Sequence, residues 1–320
     1  MLKEKGFYKG INFGGWLSQC DYSDERLNGF IKEEDFKKAA SWGIDHIRVP
    51  FDYNIIENEE GTEYKEEGFA RLARAAELAR KYGLNIVLDL HKTAGFSFDS
   101  YSENEHGFFE DEKYQQRFYR LWEQMAKRFG SDSEHIAFEL LNEVTDDKYI
   151  EVWNKVIKNC ISIIRKYAPD TIILVGSYWN NHASAVKALE SPYDDKVVYN
   201  FHSYDPLEFT HQGAPWVQNE DFDVNRRISF EESGVDAAFF EGQFISAIEK
   251  AKAEGAELYC GEYGVIDRAA PEDVVKWFRT INGVFEKYGI SRSAWTYKEM
   301  DFGFTDTRLD GVREELVKYL

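Results

Sequence analysis

The feature that most constrains this chain is a repeated junction, at which helical periodicity stops at a glycine and a β-rich run follows within a few residues. It occurs at Trp42-Gly43 before IDHIRVPF, Tyr82-Gly83 before LNIVLDLH, Phe129-Gly130 before HIAFELLN, Glu254-Gly255 before AELYCGEY and Tyr288-Gly289 before ISRSAWTY. Ala168-Pro169 before TIILVG is a variant. Glycine supplies the left-handed residue that closes a helix, and proline prevents its continuation. The upstream segments are amphipathic: in EEGFARLARAAELARKYG, Phe69, Leu72, Ala76 and Ala79 share one face and charges fill the other. YKGINFGG near the start and KVVYNFHSY near residue 200 bring the strand candidates to eight. Strand and helix alternate throughout, with about 40 residues per unit. That pattern predicts an α/β chain folded as a (β/α)8 TIM barrel, a single domain over residues 1–320. A doubly wound open sheet is the competing architecture, but no G-x-G-x-x-G follows the first strand, and GINFGG does not match it. The longest irregular stretch runs from about Ser203 to Val235. Long loops in compact domains are usually functional or mobile, so the segment 203–238 is expected to be an insertion after the sixth strand that lines a cleft.

With 43% hydrophobic and 16% aromatic residues, a 320-residue chain can bury a sizeable core. The net charge of −19 argues against nucleic acid or an anionic membrane as partner, since both require basic patches. It suits a neutral or cationic ligand. Cys20, Cys160 and Cys260 are far apart and form no C-x-x-C, so free thiols are expected rather than a disulfide framework or a zinc site. MLKEKGFYKGINFGG has no apolar h-region, which leads us to expect either a cytoplasmic protein or an exported one in mature form. No apolar run of 18 residues exists to span a membrane. The acidic run ENEEGTEYKEE reads as a solvated loop.

Sites in a parallel barrel form at the C-terminal ends of the strands. The second candidate strand ends near Arg48, the third at His91, the fourth at Asn142-Glu143, the sixth in His202 and Tyr204, the seventh at Glu262 and the eighth near Trp295. Each alone has an ordinary explanation: a rim glutamate, a satisfied histidine, a core tryptophan. Eight such residues at one predicted end are harder to attribute to packing. Burying a carboxylate unpaired costs several kcal/mol, so an apolar run that finishes on Asn142-Glu143 should open into a cleft. By two-residue alternation Glu139 shares the face of Glu143, and Arg48 is expected to pair with Glu139 low in the barrel. Two glutamates on different strands of one mouth suit cleavage of a glycosidic bond, which needs an acid for the leaving oxygen and a second carboxylate for the anomeric carbon. A carboxyl separation of about 5–5.5 Å gives retention of configuration, and roughly 6.5–9.5 Å gives inversion.

GINFGGW, HIRVPFDY, VLDLHK, FELLNEV, NFHSYDP, YCGEYGV and AWTYKEMDF together resemble glycoside hydrolase family 5, in the right order over nearly the whole chain. The resemblance implies a barrel enzyme that hydrolyses β-glucans with retention, Glu143 being the acid/base and Glu262 the nucleophile. It implies that Arg48, His91, Asn142, His202, Tyr204 and Trp295 occupy the other signature positions. One departure is Val144, where the commonest family motif continues N-E-P; proline there would only stiffen the turn. For its role Glu143 must hold a proton near neutral pH, with partial burial and the Glu262 charge as expected causes. Tyr204 and Arg48 are expected donors to an ionised Glu262. Asn142 is expected to hold the sugar 2-OH, His91 and His202 to bind hydroxyls or tune the glutamates, and Trp295 to floor the cleavage site. Trp216 and Trp179 are expected stacking platforms, with Trp16, Tyr178, Phe302 and Phe304 as further candidates.

A metal-dependent hydrolase would want an H-x-H near the first strand or an H-E-x-x-H, and neither is present, so no metal and no cofactor is expected. A non-catalytic sugar-binding barrel would typically have lost one glutamate. The expected substrates are soluble or amorphous β-glucans, cellulose-type and mixed-linkage β-1,3-1,4-glucan, cut by an endo-acting monomer. A β-1,3-glucanase is the alternative, suggested by GINFGGWL, with mannan and xylan behind it.

Overall fold

The computed structural model describes residues 1–99, 105–217 and 222–320. Eight parallel strands close into one barrel: β1 Lys9–Asn12, β2 His46–Asp52, β3 Asn85–Lys92, β4 Ile136–Glu139, β5 Ile173–Val175, β6 Val197–Ser203, β7 Leu258–Tyr263 and β8 Ser291–Ala294. The predicted barrel is therefore the observed one. Long helices follow six of the strands: Glu33–Ala40, Glu66–Lys81, Glu112–Phe129, Ile150–Ile164, Ala237–Glu254 and Pro271–Tyr288. Regular alternation fails at the other two crossovers. After β5 there is a turn at Tyr178–Asn181 and a 3-10 helix at Ala183–Ala188, and after β8 a single turn at Arg313–Leu316. The stretch SYWNNHASAVKALESPYDD explains the first: Ser, Asn and Pro favour turns over helix interiors.

The helix ends follow the expected chemistry with one exception. Gly255 and Gly289 close their helices in the left-handed region, each at φ 67. Gly130 is right-handed, at φ −68. A Cβ there would lie 2.4 Å from the Ala168 Cβ, so this glycine serves a close approach rather than a cap. Asp111 and Asp236 accept from the Lys113 and Phe239 amides and cap the helices that follow them.

Two apolar layers result. The larger lies between the strands and the helices, where Trp122, Trp153 and Trp277 are fully buried. A separate cluster of Val87, Ala137, Leu174, Val198 and Tyr259 fills the lower bore, closed from below by Leu2 and Phe7. Not all of the acidic run ENEEGTEYKEE is solvated: Glu57 is buried and accepts from Arg117 Nε at 2.7 Å. All three cysteines are free. Among the described residues no helix is long and apolar enough to cross a membrane. Segment 203–238 carries short helices at Leu207–Thr210 and Phe230–Ser233. Tyr204, Leu207, His211 and Trp216 of that segment line the cleft at the barrel mouth.

Gly130→Val should lower unfolding free energy by about 1–3 kcal/mol through overpacking against Ala168, read as an earlier urea midpoint at an unchanged slope.

Candidate active site

Parallel register sets the polar residues side by side. Asn12 is the Cα partner of Arg48, Asp89 of Glu139, and His202 of Glu262. Strand β2 runs on to Asp52, so Arg48 sits inside the strand and not at its end. Its guanidinium is fully buried and uses all five N–H groups. Nε and Nη2 donate to the two Glu139 oxygens at 2.7 and 2.8 Å, the pair expected from the sequence. Nη1 donates to Glu262 Oε1 at 2.7 Å and to Asn12 Oδ1 at 2.8 Å, and Nη2 to Asn142 Oδ1 at 2.9 Å. Asp89 Oδ2 lies 3.0 Å from Nη2. One cation thus faces three carboxylates. Burial pushes Asp89 up to about 7 and raises Glu139, against the lowering effect of Arg48. Asn200 completes the layer, donating to Glu139 Oε1 at 2.8 Å.

Regular β4 ends at Glu139, four residues before Glu143. The chain stays attached through Leu140 N–H to Leu174 O at 3.2 Å and Asn142 N–H to Leu90 O at 3.0 Å, then turns at Glu143 with φ 38. Sequence alone could not separate the strand from this continuation, because both are apolar and buried. Arg48 takes Asn142 Oδ1, which leaves Asn142 Nδ2 buried without a partner.

Glu143 Oε1 lies 2.8 Å from His202 Nδ1, and Glu143 Oε2 accepts from Asn180 Nδ2 at 3.0 Å. Burial raises the Glu143 pKa to about 7, and the Asn180 hydrogen bond opposes it. Asp99 is the like charge that adds to the rise; the Glu262 charge expected in that role is not among the leading causes. Glu262 Oε2 accepts from Tyr204 O–H at 2.8 Å. His202 Nδ1 is 3.7 Å from the same oxygen, and burial lowers this histidine to about 4, so it is neutral at pH 7. Glu143, His202 and Glu262 each offer one atom within 4.8 Å of the others. They are the one group among the described residues spaced to hold a cation, which there would compete with Arg48 and Tyr204 for Glu262.

His91 touches neither glutamate by hydrogen bond. Its Nδ1 is 2.6 Å from Asp89 Oδ2, and its ring lies parallel to Trp295 at 5.9 Å between centroids. Gly14 lets the Trp295 ring come close: a Cβ there would sit 2.5 Å from it, which accounts for a glycine in NFGG. These groups open into a cleft of about 2100 Å³. Trp179 and Trp216 line it and are 52% and 47% exposed, as free stacking faces must be. Phe302 also lines it, against Tyr204. Three other aromatic candidates do not. Trp16 is buried with its N–H on Leu27 O at 2.9 Å, Phe304 packs on Trp42 and Phe278, and Tyr178 stands edge-on to Trp179. Strand ends scatter aromatics to both sides of the sheet, and periodicity does not say which side.

Sequence reasoning missed Asp89, Asn12, Asn200 and Asn180. Asp89 stands two residues before His91 on the same strand face, so the alternation that found Glu139 would have found it. Asn180 lies in an irregular turn and left no periodic signal. The loop after β3, with Phe98, Asp99 and Glu105 on the cleft, was missed too.

A family model described as cellulase (glycosyl hydrolase family 5) matches residues 8–301. Cellodextrinase A from Ruminococcus flavefaciens is 56% identical over 292 residues, 91% of this chain and 86% of that protein. Endoglucanase C from Acetivibrio thermocellus is 36% identical over 338 aligned positions, 98% of each chain. The endoglucanase Cel5A from Thermotoga maritima superimposes with a TM-score of 0.83 at 26% identity, over 99% of this chain and 97% of that one. Its complex with mannotriose gives the same score and identity over 99% and 98%.

Arg48→Met should cost about 3–5 kcal/mol, because it leaves Glu139, Asp89 and Glu262 facing one another without a cation. Urea unfolding checks this; full stability in the variant contradicts the pairing.

Proposed function

The chain belongs to the cellulase family, glycosyl hydrolase family 5, and is a glycoside hydrolase; from that premise we propose an endo-acting β-1,4-glucanase that retains configuration, with Glu143 as acid/base and Glu262 as nucleophile. The observation that carries the reading is that one carboxyl oxygen of Glu143 and one of Glu262 lie within 4.8 Å of each other, with His202 Nδ1 beside both. That spacing suits direct attack, since inversion needs roughly 6.5–9.5 Å to admit water. The two environments suit two roles. Glu143, raised to about 7 by burial, keeps its proton for the glycosidic oxygen. Glu262 accepts from a guanidinium and a phenol, which aim its carboxylate at the anomeric carbon it attacks. The glycosyl–Glu262 ester is then cleaved by water, whose proton returns to Glu143. The unpartnered Asn142 Nδ2 is available to the 2-OH of the sugar being cut, a contact that strengthens toward the oxocarbenium-like state. Trp295 supplies a flat face for that sugar, and Trp179 and Trp216 supply platforms for its neighbours.

The substrates we propose are cellodextrins and soluble or amorphous β-glucans, including mixed-linkage β-1,3-1,4-glucan. The likeness to a cellodextrinase and an endoglucanase supports this choice, and the segment 203–238 is proposed as the cleft wall that receives the chain. Asp21, Asp52, Asp99, Glu105, Asp205 and Asp301 on the cleft suit a neutral glycan better than a polyanion. Mannan is the second reading, favoured by the mannotriose complex of the Thermotoga protein.

Products from barley mixed-linkage glucan, with viscosity followed in the same tube, test the proposal. A rapid viscosity fall with short products from the wild type, and none from Glu262→Gln, is expected; products from mannan alone would shift the reading to mannanase. Glu143→Gln should lose roughly 10²–10⁴-fold on glucan and far less on an aryl cellobioside with a good leaving group. Glu143 must be protonated to act, so kcat/KM should fall as pH rises through about 7. A folded pKa raised from 4.5 to about 7 contributes stability below 4.5 that is lost as pH rises to 7. Glu143→Gln should therefore be the more stable form above pH 7, by up to about 3 kcal/mol, in urea titrations at pH 8.

A further inference from the structure

The connection after β5 places three successive residues in the left-handed region: Trp179, Asn180 and Asn181 at φ 51, 55 and 58. Side chains crowd the backbone there, and asparagine tolerates it better than any other non-glycine residue. The turn is tied to the strand-four loop. Asn180 N–H donates to Val144 O at 2.9 Å, on the residue directly after Glu143. The Asn180 side chain donates to Glu143 Oε2 at 3.0 Å. One residue thus holds both the backbone beside the glutamate and its carboxyl. On the other side of that carboxyl stands His202, whose Nε2 lies 3.5 Å from the buried Asn181 Nδ2.

We propose that Asn180 is a positioning residue for Glu143, fixing the plane of its carboxyl and donating to Oε2 through both halves of the reaction. The inference rests on Glu143 being the acid/base. In the first half the proton leaves Glu143 for the glycosidic oxygen as that oxygen parts from the anomeric carbon, and Glu262 forms the new bond. In the second, water bonds to the anomeric carbon, the ester to Glu262 breaks, and the water proton goes to Glu143. The group must be an acid first and a base second. An amide N–H favours the carboxylate form and so offsets burial, which favours the acid. Without it, burial would hold the proton on Glu143 too tightly and leave a weak donor to the leaving oxygen. Trp179 shares the turn, is half exposed on the cleft and has a different neighbour, Tyr178, so it provides a control.

Asn180→Gly retains access to positive φ and the N–H to Val144 while deleting the amide. Asn180→Asp keeps the shape and replaces the donor with an anion. The Glu143 carboxyl is titrated by 13C NMR in the full chain without substrate, and the alkaline limb of kcat/KM is measured on cello-oligosaccharides. Both midpoints should rise by about one pH unit in Asn180→Gly, and further in Asn180→Asp. Turnover of oligosaccharides should fall roughly tenfold, with little change on an activated aryl cellobioside. Trp179→Ala should raise KM and leave the Glu143 midpoint in place. A Glu143 midpoint that does not move in either folded variant overturns the role of Asn180 and leaves the acid/base reading intact. Full activity in Glu143→Gln overturns both.

Discussion

Everything at the mouth of this barrel depends on how one buried guanidinium is shared. Arg48 has five N–H groups and a single charge, and it meets Glu139, Glu262, Asp89, Asn12 and Asn142. Such a cluster is stable only if every guanidinium donor is used and the surplus negative charge is relieved. Both conditions are met: no Arg48 nitrogen lacks a partner, and burial holds Asp89 and Glu139 above their usual range. Planarity matters as much as charge. The fork grips Glu139 on one edge and leaves the other for Glu262 and Asn142, so one side chain orients both the proposed nucleophile and the amide beside the proposed acid. A lysine would supply the charge without the geometry.

The layer below explains why the fork can be rigid. Val87, Ala137, Leu174 and Val198 pack the lower bore with apolar side chains, and the one hydroxyl among them, on Tyr259, is taken by His46 Nε2 at 2.7 Å. Above that plug, Asn12 and Asn200 bond the backbone of Gly261 and fix the polar layer to β7. The two glutamates then differ by what reaches them from above. Glu262 meets a cation and a phenol; Glu143 meets a neutral histidine and an amide. The same side chain is thereby given two different surroundings, and burial raises the Glu143 pKa to about 7, as a group that must hold a proton requires.

Much of this was legible in the chain. Glycine junctions and β-rich runs marked all eight strands, since helix termination and strand propensity are local. Two-residue alternation placed Glu139 with Arg48, because a strand has only two faces. The connections after β5 and β8 were misread as helical, for the pattern elsewhere was extended to them; after β5 the Ser, Asn and Pro content opposed it. Trp16 and Phe304 were offered as cleft aromatics and proved to be core, since a residue beyond a strand end can fold to either side. Asn180 gave no sign at all: its partners, Glu143 and Val144, are some 36 residues away, joined through a turn whose left-handed backbone has no periodicity.

The sequence by itself determined the barrel, the end at which the site forms, and many of the residues gathered there, though not Asp89, Asn12, Asn200 or Asn180. Those follow from hydrophobic period, helix stops and strand polarity, which act over a few residues. Tertiary structure alone decided the separation of the two carboxyls, the cause of the raised Glu143 pKa, the sharing of Arg48 among three acids, and which aromatics face the cleft. Those depend on distances and desolvation between strands remote in the chain, and burial in particular is a property of the closed barrel that no local stretch possesses.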